Sequence, residues 1–538
     1  MRLFDPIVGV PVISISTPTA ESTRVLMATG TTPPRIRKPT YVKNTKLIGL
    51  VLILLIAGSL RGYRLGFLSF WYDEVVSMTL AREPGFREVL SKLDVIDATR
   101  APLHPLLLHR WVRLFGPSET SGRAFSMVCG ILTVALIHRI ARRSFDSPAT
   151  GLFACWLAAM SPMLIVYSRE ARMYAWLVLV TCAAWDALLS LRRVSRETEG
   201  DTPTPRHGSG TPRRIWYAVC LIALGYSHPL GLLMAAALGL ASFLNAKWLG
   251  FSIGSWLITH LLAATFVAAW VGRYVDHAPE LVMGRLPIRF LLGTPIGWIG
   301  GNFLTLPVCL LVVCAGLFRF RGPSIVPKKR STLVFDHPAL AVSFLAWLIV
   351  PVMLLWIYSR VSQPIFGPAR YTLYSAPAYL ILMARGMARL PRWAGCALAL
   401  GATALAFSTL PSLVYAPDLK ADWRGTAIEL GHMDPSGIEP VLVVSNDPRQ
   451  NLEVVTARYY LGKTRKAIAL PAPLIDLDKI RRSVPPPSRF WLAIGVKDGW
   501  LTSEIPDRIP LRRSTQVLDR NGLRLIAVDP ADLPSLRP

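Results

Sequence analysis

Two carboxylates stand side by side in Phe70-Trp71-Tyr72-Asp73-Glu74, just beyond the first long apolar segment of the chain, Leu47 to Leu60. Acidic side chains that close to a bilayer face cost free energy unless they meet water, a cation or a substrate. A carboxylate in such a pair can take a proton from an acceptor hydroxyl, and the hard oxygens of Asp73 and Glu74 could also hold a divalent cation, magnesium or calcium. A structural reading competes with this one: Asp73 would cap the helix begun by Glu74-Val75-Val76-Ser77, with Glu74 favourable in its first turn. Arginines and aromatics recur where later apolar runs begin, as Arg169, Glu170, Arg172 and Tyr174, then His228, then Arg370 and Tyr371. Guanidinium at that depth suits a phosphate held at headgroup level, because it offers forked donors and stays charged. The competing reading of any single arginine there is a snorkelling anchor.

Membrane spans are the elements that must position these groups. Of the 538 residues, 52% are apolar and only 17% charged, and the mean hydropathy is +0.41. That composition belongs to a polytopic membrane protein. The net charge of +26 sits largely in short loops between apolar runs, which topology rules place on the cytoplasmic side, so it does not point to nucleic acid. Read in order, the apolar runs give about eleven transmembrane helices with the amino terminus inside and the carboxyl terminus outside. Residues 1–46 read as a disordered basic cytoplasmic tail. Residues 47–415 form the transmembrane domain, with a polar outer loop over 69–121 whose segment Pro102 to Phe115 is patterned as an interfacial helix carrying His104. A second outer loop, Gly272 to Trp298, carries Asp276 and His277, and Asp186 reads as the clearest charge within a span. From Ala416 onward, short apolar runs of strand length (Val441 to Val444, Phe490 to Ile494, Leu523 to Val528) predict an extracytoplasmic α/β domain over 416–538. The seven cysteines lie inside apolar runs and imply no disulfide framework, and neither a phosphate-binding glycine loop nor zinc spacing is present.

Taken in order, Trp71-Tyr72-Asp73-Glu74, Pro102-Leu103 through Phe115-Gly116 with Glu119 and Arg123, Arg142-Arg143-Ser144-Phe145, Ser161-Pro162 through Tyr167-Ser168-Arg169-Glu170-Ala171-Arg172-Met173-Tyr174, His228, Arg370-Tyr371 and Asp422-Trp423-Arg424 form a pattern. That pattern resembles the polyprenyl-phosphate-dependent glycosyltransferases of the GT-C superfamily, in the group related to protein O-mannosyltransferases and to the lipid A aminoarabinose transferase. The similarity is strongest from about Leu47 to Leu191. One departure is that Arg100-Ala101-Pro102 stands where many relatives carry His-Pro-Pro, and His104 comes later.

The resemblance implies transfer of a sugar from a polyprenyl-phosphate donor on the outer face of the cytoplasmic (inner) membrane, with Asp73 and Glu74 as the catalytic centre. Such a donor already carries a good leaving group, so the protein must neutralise developing phosphate charge and activate an acceptor hydroxyl. Arg169, Arg172, Tyr174, His228, Arg370 and Tyr371 are the expected donor side, with His104 and Glu170 as acceptor or orienting groups. Asp73 is the expected base, with inversion at the anomeric carbon and Glu74 in support. The acceptor class, lipid, glycan or protein, stays open. A transporter or lipid flippase is the alternative from another class; it would favour charges buried mid-span and paired broken helices.

Overall fold

The computed structural model describes residues 40–97, 101–192, 210–275, 287–321, 332–362, 365, 369–417, 419–445, 452–462, 465–471, 489–495 and 517–529. The expected tail up to Pro39, and Asp276, His277 and much of the second loop around them, lie outside the described residues.

Helix α1 (Thr40–Gly62) leads into α2 (Tyr72–Ala81), α3 (Phe86–Ile96) and α4 (Leu103–Phe115), followed by the long α5 (Glu119–Phe145). Beyond it come α6 (Pro148–Met160), α7 (Pro162–Tyr167), α8 (Tyr174–Ser190), α9 (Gly210–Ser227), α10 (Pro229–Leu244) and α11 (Ile253–Val275). The last apolar helices are α12 (Arg289–Ile299), α13 (Leu306–Leu317), α14 (Pro338–Val361), α15 (Ala376–Met387) and α16 (Arg392–Leu410). Each apolar run read as a span is occupied by a helix or a broken helix. Among the described residues, four helices, α5, α11, α14 and α16 with its extension to Tyr415, are long and apolar enough to cross a membrane by length and composition; α12 and α13 form a fifth candidate bent by 85°. Leu47–Gly62, α6, α8 and α10 are shorter apolar helices. The expected loop Gly272 to Trp298 therefore needs correcting at both ends: α11 runs to Val275, and α12 is already helical from Arg289 with Trp298 buried.

Several breaks follow from local chemistry. Ser147, Ser161 and His228 each precede a proline and accept a backbone N–H, from Thr150, Leu164 and Leu230 at 3.2, 3.5 and 3.0 Å. Proline at the first helical position lacks only a donor that would be orphaned anyway, so cap plus proline starts a helix cleanly. Packing between spans uses small residues. A Cβ on Gly386 would lie 1.9 Å from the Val312 carbonyl oxygen, and one on Gly316 would lie 2.3 Å from that of Leu382, so α13 and α15 touch backbone to backbone. Deep in the core, Trp185 stacks on Trp347 at 4.9 Å.

Asp186, expected within a span, lies one turn from the end of α8 and pairs with Arg139 and Arg143 at 3.1 and 3.2 Å. A second knot, Asp336 with Arg385, Arg389 and Arg319, gathers at the start of α14 and the end of α15. Strands β1 (Phe318–Arg321) and β2 (Thr332–Phe335) form an antiparallel ribbon.

After α16 the chain forms α17 (Trp423–Met433), α18 (Leu452–Leu461) and a five-stranded sheet of β3 (Val441–Ser445), β4 (Ala467–Pro471), β5 (Phe490–Gly495), β6 (Val517–Arg520) and β7 (Leu523–Val528). The order is β4-β3-β5-β7-β6; β3 is parallel to β4 and β5, and β7 is antiparallel to β5 and β6. Val441, Val443, Trp491, Ala493, Leu523 and Leu525 pack with Trp423 and Leu430 into one apolar core.

Candidate active site

The loop between α1 and α2 is shaped by one arginine. Arg123, on the first turns of α5, donates to the carbonyls of Leu65, Leu68 and Ser69 at 3.0, 2.7 and 2.9 Å. It also holds Glu74 through both oxygens, each at 2.8 Å. Glu74 accepts three further donors: Ala171 N at 2.9 Å, Lys420 Nζ at 2.7 Å and Trp71 N at 3.4 Å. Its side chain is 0% exposed. Burial alone would push this carboxyl up, but Arg123 and Lys420 outweigh it and hold it down at about 2.

Asp73 is placed differently. Helix α2 begins at Tyr72 with Trp71 as its N-cap, so Asp73 lies inside the first turn and caps nothing; Glu74 makes the return bond of the capping box instead. The capping reading is thereby corrected. The Asp73 side chain is 21% exposed and faces Arg370, whose Nη1 lies 3.5 Å from Oδ2. Arg370 is ringed by Trp71, Tyr174 and Tyr371, with its guanidinium carbon 5.8, 5.8 and 5.1 Å from their ring centres. Arg172 holds the backbone behind, donating to the Asp73 carbonyl and to Ser77 Oγ at 3.1 Å each and lying 3.7 Å from Asp97.

The other expected residues divide. Tyr174 sits against Tyr167, His228 and Tyr371. His228 Nδ1 accepts from Leu230 N, which makes that ring a helix cap. His104 is buried on α4; burial, then Arg172, pushes its imidazole down to about 3, so it is neutral. Glu170 lies in the turn before α8, where burial pushes its carboxyl up to about 7, with Lys420 opposing and Glu74 and Asp73 reinforcing the shift. Arg169, by contrast, is spent elsewhere: Nη1 donates to the carbonyls of Arg61 and Tyr63 at 2.7 Å each, and the guanidinium lies over Tyr415.

Five buried polar atoms in this cluster lack a hydrogen-bond partner: Trp71 Nε1, Glu170 Oε2, Arg172 Nε, Arg370 Nε and His104 Nε2. Buried polar groups are normally satisfied, so a concentration of orphans marks where a polar ligand is bound. A divalent cation fits poorly. Both Glu74 oxygens already face cations, Asp73 faces Arg370, and among the described residues no three His, Cys, Asp or Glu side chains could jointly hold a metal.

Sequence reasoning left Arg123 to the resemblance alone and missed Lys420, Asp97 and Arg61. Arg61 could have been flagged as a charge at the end of an apolar run. It is fully buried, capping the end of α6 through the carbonyls of Ala158 and Ala159 at 3.2 Å each.

The fold and this cluster define a polytopic helical membrane protein with a sheet-containing carboxyl-terminal part and an acid, arginine and aromatic site at the start of α2. Residues 99–200 match the family described as dolichyl-phosphate-mannose-protein mannosyltransferase. The fold is similar to the crystal structure of ArnT from Cupriavidus metallidurans in the apo state, at 13% identity and TM-score 0.54, covering 92% of this chain and 100% of that one. It is likewise similar to the same enzyme bound to undecaprenyl phosphate, at 14% identity and TM-score 0.52, covering 90% and 98%. No curated protein shows significant sequence similarity to the chain. The chain therefore shares the fold of ArnT, and its residues 99–200 carry the match to the mannosyltransferase family.

Proposed function

We propose that the chain moves a sugar from a polyprenyl-phosphate donor to an acceptor hydroxyl on the outer face of the cytoplasmic membrane, with inversion and with Asp73 as the general base. The observation that carries this reading is the division between neighbouring carboxylates. Glu74 is enclosed by five donors, whereas Asp73 keeps a reachable carboxylate beside one arginine in an aromatic ring. A base must touch the acceptor proton, and only Asp73 of the two can.

Arg370 and Arg172 supply positive charge for the departing phosphate, each with an unpartnered Nε, and Tyr174 and Tyr371 line the same side. Glu170, with one orphaned oxygen, orients the acceptor hydroxyl. His104, buried and neutral, offers an Nε2 position to the same polar cluster. Glu74 aligns Asp73 and does no proton chemistry. Undecaprenyl phosphate bound to the similar ArnT supports a lipid-linked donor; the acceptor is a lipid, a glycan or a protein presented at that face.

The experiment is to incubate membranes containing the protein with a polyprenyl-phosphate-linked radiolabelled sugar and follow label onto endogenous acceptors. Release of polyprenyl phosphate together with labelled acceptor supports the reading. Absence of transfer from every such donor overturns it.

A further inference from the structure

Lys420 has no part in the chemistry just described, yet it reaches the middle of the site. It lies between α16 and α17, and its Nζ sits 2.7 Å from Glu74 and 5.9 Å from the centre of the Trp71 ring. Its charge is surplus, because Arg123 alone already compensates Glu74 through both oxygens. Burial lowers the ammonium pKa, which Glu74 raises in part. Retaining a second buried cation costs free energy, so its use must be sought in geometry.

The neighbours of Lys420 grip the same loop. Asp422 Oδ1 accepts from Ser69 Oγ at 2.9 Å, and Arg424 donates to the carbonyls of Gly66 and Phe67 at 3.0 and 2.8 Å. From α18, Tyr460 accepts from Phe70 N at 2.6 Å and donates to Glu119 at 2.9 Å. Tyr459 meets the Phe70 ring edge-on and lies under Arg82. The stretch from Gly66 to Glu74 is therefore held by Arg123 from the span side and by the carboxyl-terminal part from the other.

We infer that Lys420 is a positioning residue through which the seating of the carboxyl-terminal part sets the alignment of Asp73. The inference rests on the proposed role of Asp73. Lys420 fixes Glu74, Glu74 fixes the first turn of α2, and that turn carries Asp73. Loosening this chain of contacts leaves Arg370 and Arg172 in place, so donor binding persists while the base loses its aim.

The test compares full-length wild type, Lys420→Met, Lys420→Arg and Tyr460→Phe in two measurements. The first is steady-state transfer from a polyprenyl-phosphate sugar; the second is amide hydrogen exchange of the segment 66–81 without donor. Lys420→Met should lower kcat about 10-fold or more with donor KM within about 2-fold, and Lys420→Arg should recover to within about 3-fold of wild type. Exchange over 66–81 should quicken in Lys420→Met and, to a smaller degree, in Tyr460→Phe, which keeps every charge. Unchanged kcat in Lys420→Met, or a loss confined to KM, overturns the inference. If Lys420→Met does not fold, Tyr460→Phe decides: a lower kcat with faster exchange supports the inference, and parental behaviour in both overturns it. A wild type silent with all donors overturns the proposed function instead, and exchange then decides on Lys420 alone.

Discussion

Arg370 Nη1 lies 3.5 Å from Asp73 Oδ2, two side chains from opposite ends of the membrane part meeting inside a ring of Trp71, Tyr174 and Tyr371. On the proposed function, the pair sets the base beside the cation that meets the donor phosphate. Asp73→Asn is the direct probe. Since Asp73 caps nothing, the amide should insert and fold like the parent and still bind donor, while transfer falls by about 10² to 10⁴. Parental transfer rates in Asp73→Asn would remove Asp73 as the base.

Glu74→Gln should behave in the opposite manner. It leaves Arg123 and Lys420 buried without their shared anion, a change that typically costs about 3 to 5 kcal/mol. The expected outcome is poor recovery of folded protein and a lowered melting temperature. A normally stable Glu74→Gln variant would show that the buried network is not what holds the loop.

Arginine variants should separate by contact. If Arg370 and Arg172 meet the donor phosphate as proposed, Arg370→Ala and Arg172→Ala should each forfeit a charged contact of about 1.5 to 3 kcal/mol, read as weaker donor use. Arg169→Ala, whose guanidinium serves the carbonyls of Arg61 and Tyr63, should instead lower thermal stability with donor KM unchanged. A donor defect confined to Arg169→Ala would reverse the assignment.

The two carboxyls with opposite shifts predict two pH effects. Glu74, held at about 2 against an ordinary 4.5, contributes stability that is complete above 4.5 and lost as pH falls towards 2, so acid melting should set in across that window. Glu170, raised to about 7, contributes in the other direction: its share is complete below 4.5 and gone above 7. If ionised Glu170 orients the acceptor, transfer should rise with a midpoint near 7, and Glu170→Gln should flatten that limb. A limb retained in the variant would assign it to another group.

Reporter fusions test the orientation on which the proposed function depends. A fusion after Arg193 or Lys329 should report cytoplasm, and one after Pro417 the outside. A cytoplasmic signal after Pro417 would place the site on the wrong face for the proposed acceptor.

What the sequence determined by itself is what local chemistry controls. Apolar runs of span length had to become helices, because lipid offers backbone groups no other partner. Ser147-Pro148, Ser161-Pro162 and His228-Pro229 had to start new helices, and the short apolar runs after Ala416 had to pair as strands. The adjacency of Asp73 and Glu74, and the arginine with aromatics at Arg172 and Arg370, were equally visible in one dimension. Which carboxylate is reachable and which is locked was not visible, because that depends on partners far along the chain. Arg123 is 49 residues from Glu74 and Lys420 is 346 residues away. No periodicity or spacing encodes such a meeting; only helix packing, and the docking of α17 and α18 onto the loop before α2, brings these charges together. Arg169 and Arg172 make the same point: three residues apart and alike in sequence, they are sent by the turn before α8 to different carbonyls, one behind Asp73 and the other at the end of α1.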